Sequence, residues 1–278
     1  TSRLDNVIKK HTGKSLPINF SPITFGSWMG GDRDGNPYVT KETTEEVVLL
    51  SRWSAANLYE KELTKLIQDL SMHECSKTIS SNQGTDGRDG PWEPYRVFLR
   101  PIRDKMKSTQ IAIEQYLNNH SSLNQSLIVQ SIDELIEPLT DVYDSLCSVK
   151  CEVIANGLTL NLLRRAHAFG LSLAKLDIRQ SSDRHENLLA AITSHIGLGN
   201  YKEWTEDQKI DFLSKEFESK RPLIPHNIKL NKDDLEVWQT FQMITKLPEE
   251  CLGAYIISMA SSVSDILAVL ILQKEAGI

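Results

Sequence analysis

Cysteine is scarce: Cys75, Cys147, Cys151 and Cys251 are the four in 278 residues, and no two form a CxxC pair. That count excludes a disulfide scaffold and that spacing supplies no zinc pattern, so the expected state is reduced thiol in a cytoplasmic protein. No stretch approaches the roughly 20 apolar residues of a bilayer span, and "TSRLDNVIKK" at the start carries neither an initiator Met nor a signal-peptide pattern. No membrane partner is expected. Basic residues form no run, and 31 Lys+Arg stand against 37 Asp+Glu, so the electrostatic footprint of a nucleic-acid binder is absent. A small anionic ligand would need a local site.

What is present is helical periodicity. Leu63, Leu66, Ile67 and Leu70 recur at i, i+3, i+4 and i+7, and Ile132, Leu135, Ile136, Leu139, Val142 and Leu146 keep a similar stripe. Both predict buried helix faces. Pro138 interrupts the second stripe and predicts a new helix start or a kink there. Thr43 with Glu46, and Thr205 with Gln208, have capping-box spacing. "SSNQGTDGRDGPWEP", residues 80 to 94, is rich in turn residues without apolar period and reads as an exposed loop. The last residues, "DILAVLILQKEAGI", read as a helix with Gly277 at its capping position. Ends of this kind are expected of an internal piece.

Two segments break the helical rhythm alike. "LSLAKLDIR" (171–179) and "AYIISMA" (254–260) each read as strand, followed by a polar loop and a helix; "ITFGSWMGG" offers a third short strand. The expected fold is a predominantly α-helical α/β protein with two or three short parallel strands, supplying part of a (β/α)8 barrel. Ligands of such barrels sit at the carboxyl ends of the strands, here Gly30 to Asn36, Arg179 to Ser182 and Ala260 to Ser264.

Candidate motifs sort quickly. "DRDG" (32–35) fails as an EF-hand loop, because its sixth and twelfth positions are Pro37 and Thr43. A DxDG-type phosphotransferase would need a hydrophobic strand before the motif, where "SWMGG" stands. "GKS" (13–15) has Ile8 where a phosphate loop needs its first glycine. Arg179 ends an apolar strand just before a helix N-terminus, which suits a phosphate or carboxylate; an ion pair with Asp177 or Glu186 is the equal alternative. Arg33 reads as paired to its neighbours Asp32 and Asp34, with substrate contact as the alternative. Trp28 reads by composition as core. His167, His185 and His195 read as surface or hydrogen-bonded helix residues.

"GSWMGGDRDGNPYVT" (26–40) resembles, nearly letter for letter, a loop of the phosphoenolpyruvate carboxylases. "LLSRWSAANLY", "EPYRVFLRPIRDKM", "IANGLTLNLLRRAHAFGLSLAKLDIRQSSDRH", "KRPLIP" and "AYIISMASSVSDILAVLILQKEAGI" follow as further blocks of that family, in family order. The resemblance covers essentially all of residues 1–278, read as one internal segment of the family's barrel domain. It implies a lyase that forms oxaloacetate and phosphate from phosphoenolpyruvate and bicarbonate with Mg²⁺ or Mn²⁺, replenishing the tricarboxylic acid cycle by fixing carbon dioxide. It implies that Arg179 binds phosphate as a catalytic residue, that Trp28 lines the apolar substrate pocket, and that Gly30, Gly31 and Gly35 let the loop pack closely around it. Arg33 stays a weaker candidate for substrate contact.

The same resemblance implies a homotetrameric, allosteric parent with sugar-phosphate or acetyl-CoA activators and aspartate or malate inhibitors. Arg96 and Arg103 are candidates for a sugar-phosphate site, with solvated helix charges the preferred reading. The family's T-A-H-P-T histidine belongs upstream; its metal carboxylates, lysine and F-H-G-R-G-G loop belong downstream. No metal ligand and no activity are therefore expected of this segment alone. The competing expectation is a non-enzymatic scaffold derived from a carboxylase.

Overall fold

The computed structural model describes residues 2–73, 75, 76, 78, 79, 93–119 and 123–278. The chain divides into two compact units, Thr1–Phe25 with Leu49–Ala174 and Gly26–Val48 with Lys175–Ile278. The predicted loop over 80–94 falls outside the described residues, except for Glu93 and for Pro94, which is buried and begins a helix.

The first unit is helical. It takes in α1 (Ser2–Thr12), most of α2 (Lys41–Asp69), α3 (Pro94–Asn119), α4 (Asp133–Ser148) and α5 (Leu160–Phe169). Its core joins the predicted stripe of α2, Leu63, Leu66, Ile67 and Leu70, to Leu135, Leu139, Val142 and Leu146 of α4 and to Tyr95, Leu99 and Met106 of α3. The Tyr95 hydroxyl meets Ser145 Oγ at 2.8 Å, so the polar tip of that buried ring is satisfied. Asp5 of α1 accepts from Arg164 of α5 at 2.9 Å and from the Leu16 backbone N–H at 2.6 Å. Those two hydrogen bonds hold its carboxyl below the usual range.

Two expectations about the helices are corrected. Helix α4 runs through Pro138 without restarting; the missing N–H costs one intrahelical bond, and the buried Leu135–Leu139–Val142 stripe outweighs it. The start of α2 is capped by Thr40, not Thr43: Thr40 Oγ1 accepts from the Thr43 N–H at 3.4 Å, while the Thr43 hydroxyl turns back to the Tyr38 carbonyl. Arg96 donates to the Ile67 and Gln68 carbonyls at 2.8 and 2.9 Å and pairs with Glu93. It thereby satisfies exposed carbonyls near the end of α2. Arg103 pairs with Asp104 at 2.6 Å.

The second unit carries the sheet. Strands β1 (Gly26–Ser27), β2 (Lys175–Ser181) and β3 (Leu252–Ser258) lie in the order β1-β2-β3, all parallel. Helix α6 (Ser182–His195) follows β2; α7 (Glu206–Glu218) and α8 (Lys232–Ile244) precede β3; α9 (Val263–Ala276) follows it. This is a mostly helical α/β protein with an open three-stranded sheet, and the barrel is not closed. The Thr205–Gln208 capping box is present at α7, and Gly277 closes α9 in the left-handed conformation at φ +91°.

The strands are shifted from their predicted bounds. β2 begins at Lys175 rather than 171, because Leu171 and Leu173 pack into the first core and the chain turns there, Leu173 at φ +58°. β3 begins at Leu252 and ends before Met259, whose φ of +58° breaks the extended run. Of the nine residues "ITFGSWMGG" only Gly26 and Ser27 pair as strand.

Leu188, Leu189, Ile192, Leu213, Val237, Phe241, Ile271 and Leu272 form this unit's main core. His185 is buried within it. Its Nε2 lies 2.8 Å from the Tyr255 hydroxyl, and the Tyr255 ring stacks on Phe241 at 5.2 Å. His195, by contrast, is exposed, and His167 is half-buried. Burial holds His185 down to about 4, although Asp183 and Asp265 draw it upward. The unfolded chain takes up this proton near pH 6.5, whereas the folded chain refuses it until about pH 4. The stability contributed by neutral His185 is therefore complete above pH 6.5 and is lost as the pH falls toward 4. Urea unfolding of the chain and of His185→Gln at pH 7 and 4.5 should show an extra loss in the parent of about 2 to 3 kcal/mol between the two pH values. Equal pH dependence in both proteins would remove His185 as its source.

Candidate anion site at the carboxyl end of the second strand

The loop that follows β1 is stitched to the end of β2. Trp28 O accepts from the N–H groups of Gly31 and Asp32, forming a turn, after which the Arg179 N–H donates to Gly31 O and the Arg33 N–H donates to Arg179 O, both at 2.9 Å. Asp32 thereby lies opposite Arg179 as a parallel bridge. The close approach depends on glycine. A Cβ on Gly31 would stand 2.0 Å from the Asp177 carbonyl oxygen; one on Gly30, already at φ +79°, would stand 2.5 Å from Val47 Cγ2.

Side chains around this bridge point alternately. Asp32 and Asp34 point one way and receive Arg179, at 3.3 Å to Nη1 and 2.6 Å to Nη2. Arg33 points the other way and is buried, donating to Thr44 Oγ1 at 2.6 Å and Gly31 O at 3.2 Å. Thr44 in turn donates to Gly30 O at 2.6 Å, closing the loop onto the first turn of α2. Burial pushes the Arg33 pKa downward, with Glu236, Tyr255 and Glu42 opposing the shift. The expected pairing is thus exchanged: Arg33 does not pair with its flanking aspartates, and Arg179 does.

The partners proposed for Arg179 from sequence are committed elsewhere. Asp177 Oδ1 accepts from the Ala254 N–H of β3 at 2.8 Å, and Glu186 pairs with Lys209 at 2.6 Å. Gly253 permits the first contact, since a Cβ there would meet Asp177 Oδ1 at 2.1 Å. Trp28 is not core: it is 55% exposed, and the Arg179 guanidinium carbon lies 5.9 Å from its ring centroid. The structure therefore brings Trp28, Gly30, Gly31 and Arg179 to one strand end, with Arg179 about one-third exposed, and turns the Arg33 side chain inward.

Sequence reasoning missed Asp32 and Asp34 as the counter-charges, together with Gly253 and Gln180. The signal for the aspartates is the alternation in "DRD" itself, which separates like from unlike charge where neighbouring side chains point to opposite sides. Among the described residues no three His, Cys, Asp or Glu side chains gather where one cation could be held, and all four cysteines are free thiols.

A part-exposed arginine held at the carboxyl end of a central parallel strand, beside an exposed indole, marks a candidate anion site on an α/β protein. Comparison with known proteins is specific. The phosphoenolpyruvate carboxylase family model matches residues 1–278, and the chain belongs to that family. It is 45% identical to the phosphoenolpyruvate carboxylase of Acinetobacter baylyi over 99% of its own length, 44% identical to that of Psychromonas ingrahamii, and 43% identical to that of Vibrio vulnificus. In each case it spans 31% of the relative's length.

The glycine contacts yield a graded prediction. Gly31→Ala forces a methyl into a backbone carbonyl and should destabilise the second unit by about 3 kcal/mol or more. Gly35→Ala meets nothing within 4 Å and only strains a φ of +67°, for a loss of about 1 kcal/mol. Urea unfolding monitored by fluorescence ranks the two; equal losses would mean that the loop does not hold this close approach.

Proposed function

We propose that this chain is the part of a phosphoenolpyruvate carboxylase that presents the phosphate-binding Arg179 and the apolar wall at Trp28. In the reaction of the family, bicarbonate attacks the phosphoryl group of phosphoenolpyruvate, giving carboxyphosphate and the enolate of pyruvate. Carboxyphosphate then releases CO₂, which the enolate captures to give oxaloacetate, leaving phosphate. The family uses Mg²⁺, which supplies positive charge for the enolate when bound; the described residues offer it no ligand set. Arg179 neutralises the phosphate, a charge-assisted role suited to a guanidinium. Trp28 keeps water away from the reacting carbon.

The observation that carries this reading is the position of Arg179: at the end of β2, part-exposed, over the indole, with two hydrogen bonds already directed by Asp32 and Asp34. The same ion pairs favour a second reading, in which Arg179 only fastens the loop to the strand of a carboxylase-derived scaffold. A nucleophilic role for the DxDG aspartates has less support, because both carboxylates are engaged by Arg179.

Kinetics separate the two readings. In a complete carboxylase carrying this segment, Arg179→Ala should lower kcat/KM by about 2 to 5 kcal/mol while the melting temperature changes little. Unchanged kcat/KM would leave Arg179 as a fastener alone. The isolated chain should give no bicarbonate-dependent oxaloacetate from phosphoenolpyruvate in a coupled malate dehydrogenase assay. Sustained turnover by purified chain would overturn the assignment of the remaining chemistry to other parts of the enzyme.

A further inference from the structure

We infer that Arg33 is a positioning residue for Arg179: its buried guanidinium sets where the Arg179 backbone sits, and so where that side chain meets an anion. The consequence for the reaction rests on the phosphate role proposed for Arg179; the clamp on its backbone does not.

Arg33 holds Arg179 through both polar groups of its backbone. The Arg33 N–H donates to Arg179 O at 2.9 Å. The Arg179 N–H donates to Gly31 O at 2.9 Å, and that same oxygen accepts from Arg33 Nη1 at 3.2 Å. One carbonyl thus receives both arginines. The other arm of the fork, Nη2, donates to Thr44 Oγ1 at 2.6 Å, and the hydroxyl donates in turn to Gly30 O at 2.6 Å. Two consecutive loop carbonyls are therefore fixed by one planar group, directly and through one hydroxyl.

The arrangement is costly to fold. Arg33 is 6% exposed, Thr44 is fully buried, and Arg33 Nε has no hydrogen-bond partner. Glu236, the carboxylate that acts most strongly on Arg33, accepts from the Lys41 N–H at 2.7 Å and makes no ion pair with the guanidinium. Burial of a charge on those terms favours an apolar side chain of similar size. What the guanidinium adds is geometry: a rigid fork that reaches two acceptors at once, which the single ammonium of lysine does not reproduce. A shift of Gly31 O moves the Arg179 backbone, and with it the guanidinium that lies among Asp32, Asp34 and Trp28. A misplacement of about 1 Å is enough to slow a positioned reaction about 100-fold. The Arg33 side chain points away from those groups, so its effect reaches the reaction only through Arg179.

The test is a double-mutant cycle in a complete carboxylase carrying this segment, with Thr44→Val, Thr44→Ser and Arg33→Lys each made in the parent and in Arg179→Ala. Thr44→Val removes the relay at nearly constant shape, and Arg33→Lys keeps the charge but not the fork. Each of these two should lower kcat/KM for phosphoenolpyruvate about ten-fold in the parent and less than about two-fold in Arg179→Ala. Thr44→Ser keeps the hydroxyl and should stay within about two-fold of the parent. With Arg179→Ala impaired, equal losses in the two backgrounds overturn the inference, because a merely structural contribution does not depend on Arg179. Parent-like kcat/KM in Thr44→Val or Arg33→Lys overturns it as well. Should one variant fail to fold, the other carries the same cycle.

Hydrogen exchange in the isolated chain, read by ¹H–¹⁵N spectra, checks the clamp without turnover. The Arg179 N–H should exchange about ten-fold faster in Thr44→Val than in the parent. If Arg179→Ala leaves kcat/KM unchanged, the phosphate role falls and this rate alone decides the clamp; equal exchange in parent and variant overturns it.

Discussion

The approach of the Gly31 backbone to the Asp177 carbonyl is the constraint on which the site depends. Only when those two backbones touch do the Arg179 N–H and C=O find Gly31 and Arg33. The pairing then fixes which loop side chains face the strand end. Everything else about the site follows from that alignment: the aspartates on Arg179, the indole beside it, and Arg33 turned toward Thr44 and α2. A loop of such polar composition has little hydrophobic reason to hold one shape. Its order comes from backbone hydrogen bonds that a single methyl group would block.

Arg179 in this arrangement is both positioned and occupied. Two carboxylates direct its guanidinium, so little rotamer entropy remains to be lost when an anion arrives. The same carboxylates lower the local positive potential, and the phosphate proposed for this site would have to share the guanidinium with them. Affinity at such a site is a balance between preorganisation and competition. Trp28 contributes without that conflict, since its ring face attracts the cation but brings no net charge.

Much of the helical architecture was legible in the sequence. The stripes around Leu63 and Leu139 mark buried faces because a 3.6-residue period admits few other arrangements, and the Thr205 cap and Gly277 terminus are local enough to be read from neighbouring letters. Strand bounds were less legible, since Leu171 and Leu173 are as apolar as strand residues yet belong to the helical core. The alternation in Asp32, Arg33 and Asp34 hints that the two carboxylates share a face, but that Arg179 is what they meet was not legible. They stand 147 and 145 positions away, and which acid meets it depends on a register between β1 and β2 that no local pattern encodes. Pro138 was over-read as a new helix start, because the loss of one hydrogen bond near a helix start is small beside the apolar surface its neighbours bury.

The alternation of Asp32, Arg33 and Asp34 also acts as a proofreading device for strand alignment. A slip of one residue between the loop and β2 would carry Arg33 to the face of Arg179, bringing two guanidinium groups together, and would turn carboxylates toward the buried Thr44 side. Both changes are repulsive or desolvating, so the misaligned sheet is penalised twice by the same three letters. The same three residues thus reject the loop's nearest competing fold.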